Sequence, residues 1–136
     1  MTATVMFGDR LAESPVYKTF HDHPFFASVG TAELTKDHAA ILIEQWWHPL
    51  HYFPTFLARC VAVLPDIAAK SAIARILNQE AGNGDVSMAH EVIYVDSMEK
   101  CGFDGDRVTG ATPYAETAAL VEGYRTASQT LSLIHI

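Results

Sequence analysis

Glu80-Ala-Gly-Asn-Gly-Asp-Val-Ser-Met-Ala-His90 separates two helical patterns and sets a carboxylate and an imidazole ten residues apart in a chain of 136 residues. Carboxylate plus imidazole is the donor chemistry of non-haem iron and related metals. In an unbroken helix, ten residues span about 15 Å and end about 80° off the starting face. Two side chains so placed cannot share one ion. The glycines change that expectation, because they permit a bulge or an unwound turn that returns His90 towards Glu80. Two metal ions about 4 Å apart would relax the demand further. The plainer alternative leaves Glu80 on the surface near a helix end and His90 early in the next helix. In either case one Glu and one His do not complete a metal site.

Outward from this stretch, the flanking patterns are helical throughout. Upstream, Asp66 follows Leu64-Pro65, and Ile67, Ile73, Ile76 and Leu77 form a helical stripe. Downstream, a helix is expected from Ser87 to Lys100, with Val92, Ile93, Val95 and Met98 inward and Gly102 closing it. From Lys36 the chain is apolar on nearly every side, which predicts a central, buried helix. Pro49 and Pro54 predict kinks in one helix reaching about Val63, not two helices. Ser14-Pro15 predicts a helix start that bends near Pro24 and stops at Gly30. Residues 1–13 read as a loose lead-in and 103–112 as a loop, with Thr112-Pro113 capping a last helix. The Asp104-Gly-Asp106 pair lacks the remainder of an EF-hand loop, so a solvated loop is the expectation there. No strand pattern occurs, and the fold class is all-α.

Three other clusters could bear chemistry. Glu44, His48 and His51 share one helical face at spacings of four and three. Pro49 interrupts their register, and the neighbouring Trp46, Trp47, Tyr52 and Phe53 read as an aromatic pocket wall. His21-Asp22-His23-Pro24 reads as a helix terminator. Cys60, within Leu-Ala-Arg-Cys-Val-Ala-Val, reads as core and not as a nucleophile.

Composition excludes several classes. The net charge is −7 with no basic run, against nucleic acid as a partner. The longest uncharged run in the body of the chain, Gln45 to Ala58, is 14 residues with two His and two Pro. It is too short and too polar for a membrane span. Cys60 and Cys101 form no framework and read as free thiols, and no signal peptide is visible. A cytoplasmic protein is expected.

The ordered motifs resemble the haem-oxygenase-like superfamily, specifically its iron-containing redox enzymes. They are His23-Pro-Phe-Phe26, Gly30, Glu33-Leu-Thr-Lys36, Gln45-Trp-Trp-His48, Phe53-Pro-Thr-Phe-Leu-Ala58, Leu64-Pro-Asp66, Asn78-Gln-Glu-Ala-Gly-Asn-Gly-Asp85 with His90, and Cys101-Gly-Phe103. Relatives include the pyrroloquinoline quinone synthase C and thiaminase II types.

The resemblance covers about residues 15–130 and implies the N-terminal part of one haem-oxygenase-like bundle, here 1–130, truncated at its C-terminus. It implies that Glu80 and His90 are iron ligands, and that Gln45, Trp46 and His48 face the substrate or support the metal. It further implies a non-haem di-iron oxidase or oxygenase acting on a small-molecule substrate with O2, and it leaves a homodimer open. Other ligands of that family, a further Glu and a later His/Asp/His group, have no counterpart here, so a truncated chain is expected to be inactive and prone to self-association.

The alternatives on the same fold are a cofactor-independent oxidase of the pyrroloquinoline quinone synthase C type and a thiaminase II-like hydrolase. A helical binding module without an enzyme site is a third. The nucleophilic Cys of the thiaminase type has no evident counterpart. Phe26 stands where some para-aminobenzoate-forming relatives carry a reactive Tyr. Residues 131–136, Leu-Ser-Leu-Ile-His-Ile, follow a helix without a stop signal and are expected to be a non-native tail.

Overall fold

The computed structural model describes residues 7–31 and 34–130. Residues 1–6, Glu33 of the quoted motif and the tail 131–136 lie outside them. The described residues form helices joined by short turns, with no strand among them. The chain divides at Lys36–Asp37 into two units.

The first unit holds α1 (Phe7–Glu13), α2 (Pro15–His21) and α3 (Pro24–Thr31). The expected loose lead-in is corrected: residues 7–13 are helical. Ser14 caps α2 as its sequence predicts, its Oγ accepting from the Tyr17 N–H at 3.3 Å. The single bent helix is corrected to two. Pro24 offers no N–H and disfavours helical backbone at His23, so the helix ends at His21 and restarts. His23 Nδ1 then accepts the Phe25 N–H at 3.2 Å and supports the new first turn.

The second unit is organised by α4 (Lys36–Val63), which runs through Pro49 and Pro54 as one element. Its neighbours are α5 (Ile67–Glu80), a 3-10 turn (Val86–Met88), α6 (His90–Lys100), α7 (Gly105–Thr109) and α8 (Ala115–Thr130). Asp66 caps α5 by accepting the Ala69 N–H at 2.7 Å. Ala40, Leu57, Cys60, Leu64, Ala89 and Val108 are buried. Full burial of α4 does not hold: Ile41, Leu42, Trp46 and Val63 are exposed, because the elements packed on it cover only part of its circumference.

Two further corrections concern short elements. The helix expected over 87–100 begins at His90, after the 3-10 turn. The expected 103–112 loop contains α7. Asp104 Oδ1 accepts the Asp106 and Arg107 N–H groups at 3.0 and 3.2 Å. Asp104 is therefore a helix cap. The last helix starts at Ala115, not directly after Thr112-Pro113.

The cysteines give a direct check of this packing. Cys60 is buried and its thiol is pushed up by desolvation, whereas Cys101 is exposed. A thiolate-specific reagent is expected to titrate one thiol rapidly in the native chain and the second only after denaturant is added. Two thiols reacting at one rate would contradict the packing around Cys60.

Candidate metal centre

α5 ends in a Schellman motif that the glycines make possible. The Gly82 N–H donates to the Gln79 carbonyl at 3.0 Å, and the Asn83 N–H donates to the Asn78 carbonyl at 2.7 Å. Gly82, Asn83 and Gly84 follow one another at φ 86, 54 and 94°. The Asn78 amide also donates to Asn83 Oδ1 at 2.9 Å, clasping the turn. Gly82 is buried, and a side chain there would collide with backbone: an added Cβ would lie 2.1 Å from the Asp85 carbonyl oxygen and 2.7 Å from the Ala89 nitrogen. The segment after the turn thus folds tightly onto the end of α5. Asp85 Oδ1 accepts from the Ser87 N–H at 3.0 Å and the Ser87 hydroxyl at 2.6 Å, and these bonds hold its carboxyl below the usual range.

The consequence is a meeting of the last residue of α5 with the first of α6. Glu80 Oε2 and His90 Nδ1 stand 2.7 Å apart, with the Glu80 side chain 16 % exposed and His90 52 % exposed. Both line a cavity of about 300 Å³ whose other walls are Trp46, Pro49, Leu50, Phe53 and Tyr124. Tyr124, from α8, stacks on Phe56 at 5.1 Å between ring centres. Nothing in the sequence spacing of Tyr124 places it in the same cavity as Trp46.

The other candidate residues go to separate partners. Glu44 Oε1 pairs with Arg107 Nε at 2.6 Å. His51 Nδ1 pairs with Glu91 Oε2 at 2.7 Å, its ring stacked 5.0 Å from Trp47. His48 Nε2 is buried without a hydrogen-bond partner, as is the Tyr52 hydroxyl. His21 pairs with the adjacent Asp22 at 3.1 Å. Glu44, His48 and His51 therefore share a helix without converging. Among the described residues no group of three or more His, Cys, Asp or Glu is arranged to hold a metal ion.

Of the three residues expected to face substrate, Trp46 lines the cavity and is 60 % exposed. Gln45 instead fastens α4 to the segment entering α8. Its Nε2 donates to the Thr112 carbonyl at 3.2 Å, and its Oε1 accepts from the Tyr114 N–H and the Thr117 hydroxyl, both at 2.8 Å. His48 lies outside the residues lining this cavity. Burial lowers its pKa, and the nearby His51 lowers it further.

That depression has a thermodynamic consequence. The unfolded chain takes up a proton at His48 near pH 6.5, whereas the folded chain resists until lower pH. This contribution is present in full above pH 6.5 and is lost as pH falls through that value towards the lower folded pKa. His48→Gln is expected to flatten the acid limb of denaturant-measured stability below pH 6.5 by up to one proton. An acid limb of unchanged slope would contradict the assignment.

An all-helical unit with a Glu–imidazole pair facing an aromatic cavity defines a candidate metal-binding bundle. Residues 40–133 match the family of iron-containing redox enzymes, and the chain belongs to that family. No curated protein and no solved structure matches the chain.

Proposed function

We propose that Glu80 and His90 supply two of the donors of an iron centre in a non-haem di-iron oxidase or oxygenase, which uses O2 to oxidise a small organic molecule. The observation that supports this most is the 2.7 Å approach of the two side chains at the end of an apolar cavity, within a chain of the iron-containing redox family. The donor set fits: a carboxylate oxygen and an imidazole nitrogen suit iron. Two donors do not complete such a centre, so the proposal includes further donors outside the described residues.

Iron held by Glu80 and His90 would supply redox chemistry towards dioxygen. The chain's own residues act around it. The Glu80–His90 contact holds both donors towards one space before any ion arrives. Metal binding needs the carboxylate ionised and the imidazole neutral, so uptake releases any proton the pair shares. Trp46, Leu50, Phe53 and Tyr124 give the cavity its apolar walls. The Glu91–His51 pair ties the first turn of α6 to α4, and Ala89 before it provides no side-chain cap. Among the described residues no helix is long and apolar enough to cross a membrane.

The test is metal analysis of the intact protein beside its Glu80→Ala and His90→Ala variants. Iron retained by the native protein and lost from both variants is the expected result. A metal-free protein that still turns over substrate would favour the cofactor-independent oxidase.

A further inference from the structure

The cavity beside Glu80 and His90 has a chemical bias beyond its two polar groups. Trp46, Leu50, Phe53 and Tyr124 contribute ring faces and hydrocarbon, and among the described residues lining it there is no Lys or Arg. The guanidinium groups of Arg107 and Arg125 are already held by Glu44 and Glu122. A carboxylate or phosphate placed against the aromatic walls would lose part of its hydration without gaining a cation from them. An uncharged ring loses little hydration there and gains contact with the ring faces. Size narrows the choice further. A closed apolar cavity of about 150 Å³ takes benzene, so about 300 Å³ suits one substituted ring or a compact hydrocarbon of similar bulk.

We infer that the substrate of this site has an uncharged body, a single ring or a compact hydrocarbon, with its reacting group at the Glu80–His90 end and no anionic group on the portion lying against Trp46 and Tyr124. The inference rests on reading Glu80–His90 as the reacting end. It adds a substrate class which that reading does not contain.

The experiment is an NMR titration of the 136-residue chain, with the indole N–H groups of Trp46 and Trp47 and the ring of Tyr124 as reporters. Trp47 serves as an internal control, because it lines a separate recess with Glu91, Val92, Val95 and Asp96. Benzyl alcohol is the uncharged probe. The matched anionic probe is 4-(hydroxymethyl)benzoate, which keeps the same hydroxymethyl end and adds a carboxylate at the far end of the ring. Benzyl alcohol is expected to shift Trp46 and Tyr124 saturably and to leave Trp47 in place, with the benzoate at least tenfold weaker. Trp46→Ala removes a largely exposed ring, and should weaken benzyl alcohol at least fivefold as read at Tyr124.

Equal affinity for the two probes, or shifts at Trp46 and Trp47 that rise together without saturating, would overturn the inference. A cobalt(II) titration of the same samples separates it from the metal reading. Cobalt binding lost in Glu80→Gln and His90→Gln while the probes are not discriminated sinks the substrate class alone. Discrimination between the probes without cobalt binding in the native chain supports the cavity's preference, and metal analysis of the intact protein then decides the metal reading.

Discussion

Gly82→Ala is expected to destabilise the second unit by at least about 3 kcal/mol and to separate Glu80 from His90. Gly82 sits at φ +86°, where an L side chain costs about 1–2 kcal/mol by itself. Its Cβ would also lie 2.1 Å from the Asp85 carbonyl oxygen, 2.7 Å from the Ala89 nitrogen and 2.9 Å from the Met88 carbonyl carbon. All three are backbone atoms, so no rotamer change relieves the collision. The segment between α5 and α6 must move as a whole, and it carries His90 with it.

Gly84→Ala is the matched control. Gly84 has φ +94°, but no atom lies within 4 Å of the position its Cβ would take. Only the backbone cost of about 1–2 kcal/mol applies there. Urea denaturation followed by circular dichroism gives both values, and the His90 ring resonances report the contact. Equal losses for the two variants would mean that the close approach at Gly82 does not hold the turn.

Removing either donor is the second large effect. Glu80→Ala and His90→Ala are each expected to weaken iron(II) or cobalt(II) binding at least about 100-fold. Losing a group that merely supports a ligand already costs 10–100-fold in many metal proteins, and a direct donor costs no less. Glu44→Ala is the informative comparison. Its carboxylate pairs with Arg107 and does not line the Glu80–His90 cavity. It should leave metal affinity within a few fold while loosening α7 from α4. The measurement is calorimetric titration under anaerobic conditions for iron, with cobalt(II) absorbance as a second readout. Metal binding that survives Glu80→Ala but not Glu44→Ala would transfer the centre to the wrong helix and end the present assignment.

Much of this architecture is legible in local chemistry. Ser14-Pro15, Asp66 and Gly102 mark helix ends because each satisfies backbone groups that a helix leaves open. The Cys101 and Gly102 N–H groups donate back into the last turn of α6, as a glycine at that position predicts. α4 is readable across Pro49 and Pro54 because the apolar pattern persists on both sides. The five-residue α7 and seven-residue α1 are not readable, since so few residues hold no full period of the hydrophobic pattern. The break at Pro24 is visible in sequence, but whether it bends or ends the helix depends on His23 supporting the next turn.

The candidate site divides along the same line. Sequence alone determined that Glu80 and His90 flank a glycine-containing turn and carry metal-compatible donors, because donor type and glycine's backbone freedom are properties of single residues. Only the tertiary structure decided that the turn closes to 2.7 Å, that Gln45 holds the α8 entry, and that Tyr124 lines the same cavity as Trp46. The Gln45 and Tyr124 contacts join residues far apart in the chain, and the ten-residue closure between Glu80 and His90 depends on how the turn folds onto the end of α5, so neither geometry is encoded by a local pattern of donor types.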